Sequence, residues 1–216
     1  MIIGKGTFKR CLQLLLLSPL LLTNAQAGND EELPLECEID CVSPYGDVLG
    51  VSMRGVEAYS NCQSSCVIYD SNHWEGTYTG IKWQCVEYAR RWLLINKGAT
   101  YGDVDIAADI WNKINHLTDI STGSLLQLES YNNGSKQPPR VGDLLVYSRE
   151  FNDTGHVAIV MDADYENGVI KVAEQNYNNQ PWPDEYSRKI GLVMREGNYW
   201  LQDKYLLGWK HIKTRH

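Results

Sequence analysis

The chain has 216 residues, of which 43% are hydrophobic and 22% charged, with a formal net charge of −7. That suits one compact domain with a substantial core and excludes a disordered, collagen-like or repeat protein. The acidic balance argues against nucleic acid, whose phosphates it would repel, and is better suited to cationic substrates.

Residues 1–27 read as a signal peptide rather than as part of the fold, the competing reading being a buried N-terminal helix. Lys5, Lys9 and Arg10 form a basic region, Cys11 to Leu22 a short leucine-rich run interrupted by proline, and Ala25-Gln26-Ala27 a cleavage site. Its loss removes three basic and no acidic residues, so the charge becomes −10. No other apolar run is long enough for a membrane span, so a soluble, secreted or periplasmic mature chain is expected, and a monomer.

Six cysteines are present, at 11, 37, 41, 62, 66 and 85. Cys11 leaves with the leader. Cys37-x-x-x-Cys41 and Cys62-x-x-x-Cys66 form two matched pairs, and export makes disulfides the default. Of three connectivities we favour the nested one, Cys37 to Cys66 and Cys41 to Cys62, because a bridge across three residues is geometrically awkward. The competing reading is a four-thiolate zinc site. Cys85 is left over, either a small buried apolar residue or a reactive thiol.

Residues 28–43 form an acidic, cysteine-bearing arm, and 44–216 the main domain. Pro44-Tyr45-Gly46 signals a turn; Asp47 to Tyr59 is mixed, with a short strand; Gly76 to Gly80 is a loop. Cys85 to Asn96 reads as a helix whose apolar face carries Cys85, Val86, Ala89, Trp92 and Leu93, with Glu87, Arg90 and Arg91 elsewhere and Gly98 as its stop. Ile106 to Leu117 is a second, weaker helix, and Asn132 to Pro139 an exposed loop. Short strands follow at Asp143–Tyr147, His156–Met161, Val169–Glu174 and Leu192–Arg195. Helices first and strands after predict an α+β fold, the helix of Cys85 packed on an antiparallel sheet.

A thiol attacks as its thiolate, which a helix N-terminus and a neighbouring imidazole both favour. Five histidines are available: 73, 116, 156, 211 and 216. His116 falls in the second helix, His211 and His216 at the tail, and His73 in a loop. His156 stands at a strand start behind Gly155, which would let another group approach its ring. If Asp162 to Gly168 is the loop joining two strands, Met161 faces Val169 and His156 faces Glu174, so the carboxylate can orient the base. A tight turn on Asn167-Gly168 would instead set Glu174 against Met161 and break the pairing. Gln84 could join the Cys85 N–H in stabilising an oxyanion, and Asn176 and Gln175 could orient the base or hold a substrate amide. Arg90 could bind a substrate carboxylate or be a solvated helix residue.

Trp83-Gln84-Cys85-Val86-Glu87-Tyr88-Ala89-Arg90-Arg91, Asp153-Thr154-Gly155-His156-Val157-Ala158-Ile159 and Ala173-Glu174-Gln175-Asn176 resemble the CHAP family of cysteine- and histidine-dependent amidohydrolases and peptidases, most closely its glutathionylspermidine amidase branch. The similarity runs from about Pro44 to Trp209. It implies a papain-like (CHAP/NlpC-P60-type) fold, with Cys85 as nucleophile, His156 as base, Glu174 as orienting carboxylate, and Arg90 and Asn176 at the substrate site. The reaction implied is amide hydrolysis through a thioester acyl-enzyme, with no cofactor and no metal. The 216 residues depart from that branch in having no ATP-binding synthetase portion, in the leader and in four additional cysteines. The leading reading is an exported amidase for a glutathionylspermidine-like peptide–polyamine conjugate; the alternatives are a hydrolase of cell-wall peptides and a non-catalytic secreted binding domain.

Overall fold

The computed structural model describes Met1 and residues 33–213, the latter within one unit, Leu33–His216. The expected leader, the first residues of the arm and His216 lie outside the described residues. The arm from residue 33 carries a single-turn helix, α1 (Leu35–Glu38), and is bonded to the body through Cys37–Cys66 and Cys41–Cys62, with Cα separations of 4.8 and 4.6 Å. This is the nested connectivity. The four-thiolate alternative is corrected, since these sulfurs are bonded to one another.

Two small antiparallel ribbons follow: β1 (Val48–Val51) with β2 (Glu57–Tyr59), and β3 (Ser71–Trp74) with β4 (Thr77–Ile81). The expected loop at 76–80 is thus largely strand. Helix α2 (Cys85–Lys97) starts where the spacing predicts, after Gln84 in an extended conformation, and ends at Gly98. There φ is 63°, a left-handed turn that glycine adopts without strain, and the Gly98 N–H caps the Leu94 carbonyl. Beyond β5 (Ala99–Thr100), α3 spans only Asp109–Lys113. The second helix expected from Ile106 to Leu117 is therefore shorter: Ile114 is extended, and β6 (His116–Asp119) runs instead to pair with β7 (Leu125–Asn132). Cross-strand pairing overrides the weak helical period there. The remaining strands are β8 (Leu144–Tyr147), β9 (Val157–Asp164), β10 (Val169–Ala173), β11 (Arg188–Arg195), β12 (Asn198–Leu201) and β13 (Leu206–Ile212).

Nine of these strands form one antiparallel sheet in the order β12-β11-β10-β9-β8-β13-β7-β6-β5. Its centre is buried on both faces. Leu144, Val146, Val157 and Ile159 pack with Tyr88, Ala89, Trp92 and Leu93 of α2. The alternating residues Leu145, Tyr147, Ala158 and Val160 pack with Ile170, Val172, Ile190 and Trp209. Period-two alternation delivers each set to its own face. The α+β class with an antiparallel sheet is as predicted, although the predicted order of helices before strands is not, since β1–β4 precede α2.

Both proposed registers of β9 and β10 are corrected. The turn occupies 165–168, closed by the Asn167 N–H on Asp164 Oδ1 (2.9 Å), and Val169 faces Asp164. Gly168 (φ +64°) is required there, because a Cβ would lie 2.7 Å from the Leu192 carbonyl. From Val169 to Lys171 this register assigns even-numbered residues to odd-numbered partners. A bulge at Met161 then shifts it, so that Val172 faces Val160 and Ala173 faces Ile159. Continued by one residue, the shifted ladder sets Glu174 against Ala158, on the same face as His156 and diagonal to it.

Candidate active site

Cys85 is the first residue of α2 and is buried, and it is the free cysteine among the described residues. At that position the helix dipole and the unpaired N–H groups of the first turn favour an anion. The α2 surface expected to be polar is also buried. Glu87 is 0% and Arg91 3% exposed, joined by Arg91 Nε to Glu87 Oε1 at 2.7 Å. Asn72, Thr79 and Gln175 donate the remaining hydrogen bonds to Glu87. The β3–β4 ribbon and the segment after β10 cover this side, and a buried ion pair is tolerated because its lone pairs and protons are satisfied.

His156 extends the β8–β9 ladder: the Tyr147 N–H donates to its carbonyl at 2.9 Å, and the two rings lie 5.4 Å apart. Gly155 has φ +74°, and a Cβ there would lie 2.7 Å from the Tyr147 carbonyl and 2.8 Å from Ala108. The glycine thus admits backbone next to the ring, rather than a group onto the ring itself. His156 Nε2 meets Glu174 Oε2 at 2.9 Å, which leaves Nδ1 as the nitrogen free of the carboxylate, and Cys85 lies near enough to act on the charge of the same imidazole. Burial by itself would depress the imidazole. The facing Cys85 and then Glu174 outweigh it and hold His156 up to about 9. Phe151, Tyr147 and Tyr177 enclose the ring, with centroids 5.3–5.5 Å away.

The Glu174 side chain is fully buried. Burial would raise its pKa, but Arg188 and then His156 reverse that and hold it down to about 2. Arg188 Nε donates to Glu174 Oε1 at 2.6 Å, and Ser187 Oγ to the same oxygen at 3.0 Å. Sequence reading missed Arg188, Ser187 and Asp203, and no local pattern marks them, since their partners belong to other strands.

The other candidates are anchored to the protein. Gln84 donates from Nε2 to the Cys66 carbonyl (3.0 Å) and accepts from Asn176 Nδ2 (2.8 Å). Asn176 also reaches the Ser64 carbonyl at 3.4 Å, so the disulfide-bonded 62–66 segment lies beside the residue preceding Cys85. Gln175 is buried, bonded to Glu87 and to the Gln84 carbonyl. Arg90 is not a solvated residue: it is 6% exposed, lies between the rings of Tyr78 and Tyr101, and pairs with Asp103 at 3.0 Å. Of the other histidines, His73 packs on Tyr78, His116 bonds Asn115 and His211 bonds Asp143. His116 stands in β6 and His211 in β13, not in a helix and a tail.

Residues 76–176 match the CHAP domain family model, a span that includes Cys85, His156 and Glu174 and stops before Ser187. The chain is 34% identical over 183 residues to the bifunctional glutathionylspermidine synthetase/amidase of Escherichia coli (strain K12), covering 77% of this chain and 29% of that protein. It is 32% identical over 163 residues to trypanothione synthetase of Crithidia fasciculata (74% of this chain, 24% of that protein). It is 30% identical over 195 residues to glutathionylspermidine synthase of the same organism (79% and 27%). The chain therefore spans less than a third of the length of each of these relatives. With the family match lying directly over the thiol, the imidazole and the carboxylate, residues 76–176 of this chain are a CHAP domain.

Proposed function

We propose that this protein is a cysteine amidase of papain-like design that hydrolyses an amide through a thioester acyl-enzyme. The observation that carries the reading is the buried group Cys85, His156 and Glu174, with the imidazole hydrogen-bonded to the carboxylate at 2.9 Å and its charge raised by a neighbouring thiol at a helix N-terminus. In this mechanism His156 takes the Cys85 proton, and the thiolate attacks the amide carbonyl. The oxyanion accepts from the Cys85 N–H, which has no intrahelical partner. Gln84, predicted as a second donor, gives one Nε2 hydrogen to the Cys66 carbonyl and accepts from Asn176, which fixes the amide and leaves its second Nε2 hydrogen for the oxyanion. The imidazolium protonates the leaving amine, the C–N bond breaks and a thioester remains. Water, deprotonated by His156, then releases the acid and restores the thiol.

A relative named as a bifunctional glutathionylspermidine synthetase/amidase supports a substrate of that class. A peptide–polyamine conjugate of that kind, bound with help from Arg90 and Asn176, also suits an acidic protein. The two disulfides and the predicted leader favour an exported enzyme, with residues 28–43 as an arm on a 44–216 amidase domain. Among the described residues no helix is long and apolar enough to cross a membrane.

The protein and its Cys85→Ala variant should be incubated with glutathionylspermidine and, separately, with cell-wall sacculi, the products being read by mass spectrometry. Cys85-dependent release of spermidine is expected. Soluble wall peptides instead would assign the enzyme to peptidoglycan, and no Cys85-dependent product from either would refute the substrate class.

A further inference from the structure

The hydrogen-bonded chain does not stop at Glu174. His156 faces Tyr147 across β8 and β9, Glu174 lies diagonal to His156 across β9 and β10, and Arg188 faces Val172 across β10 and β11, one diagonal step from Glu174. Tyr147, His156, Glu174 and Arg188 therefore form one row across four strands, on one face. Arg188 uses its whole fork in this row: Nε to Glu174 Oε1 at 2.6 Å, Nη1 to Asp203 Oδ2 at 2.7 Å and Nη2 to the Tyr147 hydroxyl at 2.7 Å. Its guanidinium also stacks 4.2 Å from the centroid of Tyr177, a ring that in turn lies 5.3 Å from His156.

This arrangement solves two problems for Glu174. A carboxylate with no solvent exposure is driven toward its neutral form, and a neutral carboxyl group cannot hold an imidazolium. Arg188 supplies the compensating charge. The carboxylate also has two oxygens and could turn either toward His156. Arg188 Nε and Ser187 Oγ hold Oε1, and Arg188 Nη2 reaches Oε2 at the longer distance of 3.4 Å, so the carboxylate is fixed with Oε2 turned to His156 Nε2 at 2.9 Å.

We propose that Arg188 is a positioning residue for the thiol–imidazole pair, clamping Glu174 as an anion with Oε2 aimed at His156. The proposal rests on the reading of Cys85, His156 and Glu174 given above. Arg188 touches no reacting atom; it acts through Glu174. The charged and titratable groups that bear on Glu174 are His156 just before β9, Arg188 from β11, Asp203 from the turn before β13, Tyr147 from β8, Tyr88 from α2, Tyr177 on its own segment and, through His156, Cys85 from α2.

The test is the pH dependence of Cys85 alkylation by iodoacetamide in the full, disulfide-intact chain, followed at the Cys85 peptide by mass spectrometry. When Glu174 takes up a proton, the imidazolium loses its counter-charge and its aim, His156 becomes a weaker partner for the sulfur, and alkylation falls. In Arg188→Gln that acid limb should move to higher pH by about 1 to 3 units, the range for loss of an adjacent opposite charge. Arg188→Lys, which keeps the charge, should recover more than half of the shift. Asp203→Asn removes the anion competing for Arg188 and should leave the limb in place or move it to lower pH. That variant keeps the proposal testable even where Arg188→Gln folds poorly, which circular dichroism would report. An Arg188→Gln limb that coincides with wild type, or an upward shift in Asp203→Asn, overturns the proposal while the amidase reading stands. A wild-type profile indifferent to His156→Ala overturns both.

Discussion

Glu174→Gln tests how much of the His156 charge is owed to the carboxylate. The substitution keeps shape and removes charge, but it cannot keep the hydrogen bonds. An amide offers one acceptor and one donor nitrogen, whereas both oxygens of Glu174 accept: Oε2 from His156 and Arg188 Nη2, Oε1 from Arg188 Nε and Ser187. Either way the amide turns, a donor faces a donor. His156 is raised from 6.5 to about 9; that difference corresponds to about 3 kcal/mol. Cys85 is the larger contributor and Glu174 the smaller, so losing Glu174 should lower the His156 titration, by less than losing Cys85 would. The sign follows from the direction of the shift: stability owed to a raised imidazole is complete below its unfolded pKa and is lost as pH rises through about 9. In the variant that loss begins at the same pH and is complete at a lower one. Arg188 keeps Asp203 at 2.7 Å, so the global cost should fall near the lower end of the about 3–5 kcal/mol seen when one member of a buried pair is removed. Amide hydrolysis should fall about 10²–10⁴-fold. Histidine-ring NMR, assigned by comparison with His156→Ala, reads the titration, and urea unfolding reads the stability. An unshifted His156 titration with activity retained would show that Glu174 neither charges nor aims the ring.

Gly155→Ala should destabilise by about 1–3 kcal/mol, because φ is +74° and the new methyl meets the Tyr147 carbonyl at 2.7 Å and Ala108 at 2.8 Å; an unchanged urea midpoint would contradict this. Replacing Cys37 and Cys66 together by serine should cost about 2–4 kcal/mol, and should raise KM more than it lowers kcat, since Cys66 O and Ser64 O hold Gln84 and Asn176. Urea unfolding with steady-state kinetics checks both parts, and a drop in kcat alone would tell against it. Lys210 is 2% exposed, with Nζ 2.8 Å from both the Ile114 carbonyl and Ser130 Oγ, and burial pushes its pKa from 10.5 down to about 8. A lysine depressed in the folded state penalises folding while it must be charged, so this group makes stability rise with pH between about 8 and 10.5. Lys210→Met should abolish that rise, as denaturant unfolding at the two ends of the window would show; persistence of the rise would refute the assignment.

The local patterns of the sequence are enough to define several elements. The i, i+3, i+4 spacing from Cys85 with Gly98 behind it marks α2 to within a residue, and the β-rich runs mark β8, β9 and β10. The matched cysteine pairs point to the staple, and the three motifs point to Cys85, His156 and Glu174. These signals lie within a segment or a few residues of each other. Decisions between segments were not legible there. Glu87 and Arg91 fall off the apolar face of α2 by spacing, and only β3–β4 and the segment after β10 bury them. The His156–Glu174 contact was expected from a register that the protein does not use. It exists because a bulge at Met161 restores the parity that the tight turn at 165–168 would have broken. Arg188 left no mark in the sequence at all. Its role depends on four strands aligning one row of side chains, and that alignment is set by turns, bulges and cross-strand hydrogen bonds, none of which is a property of the residues around Arg188.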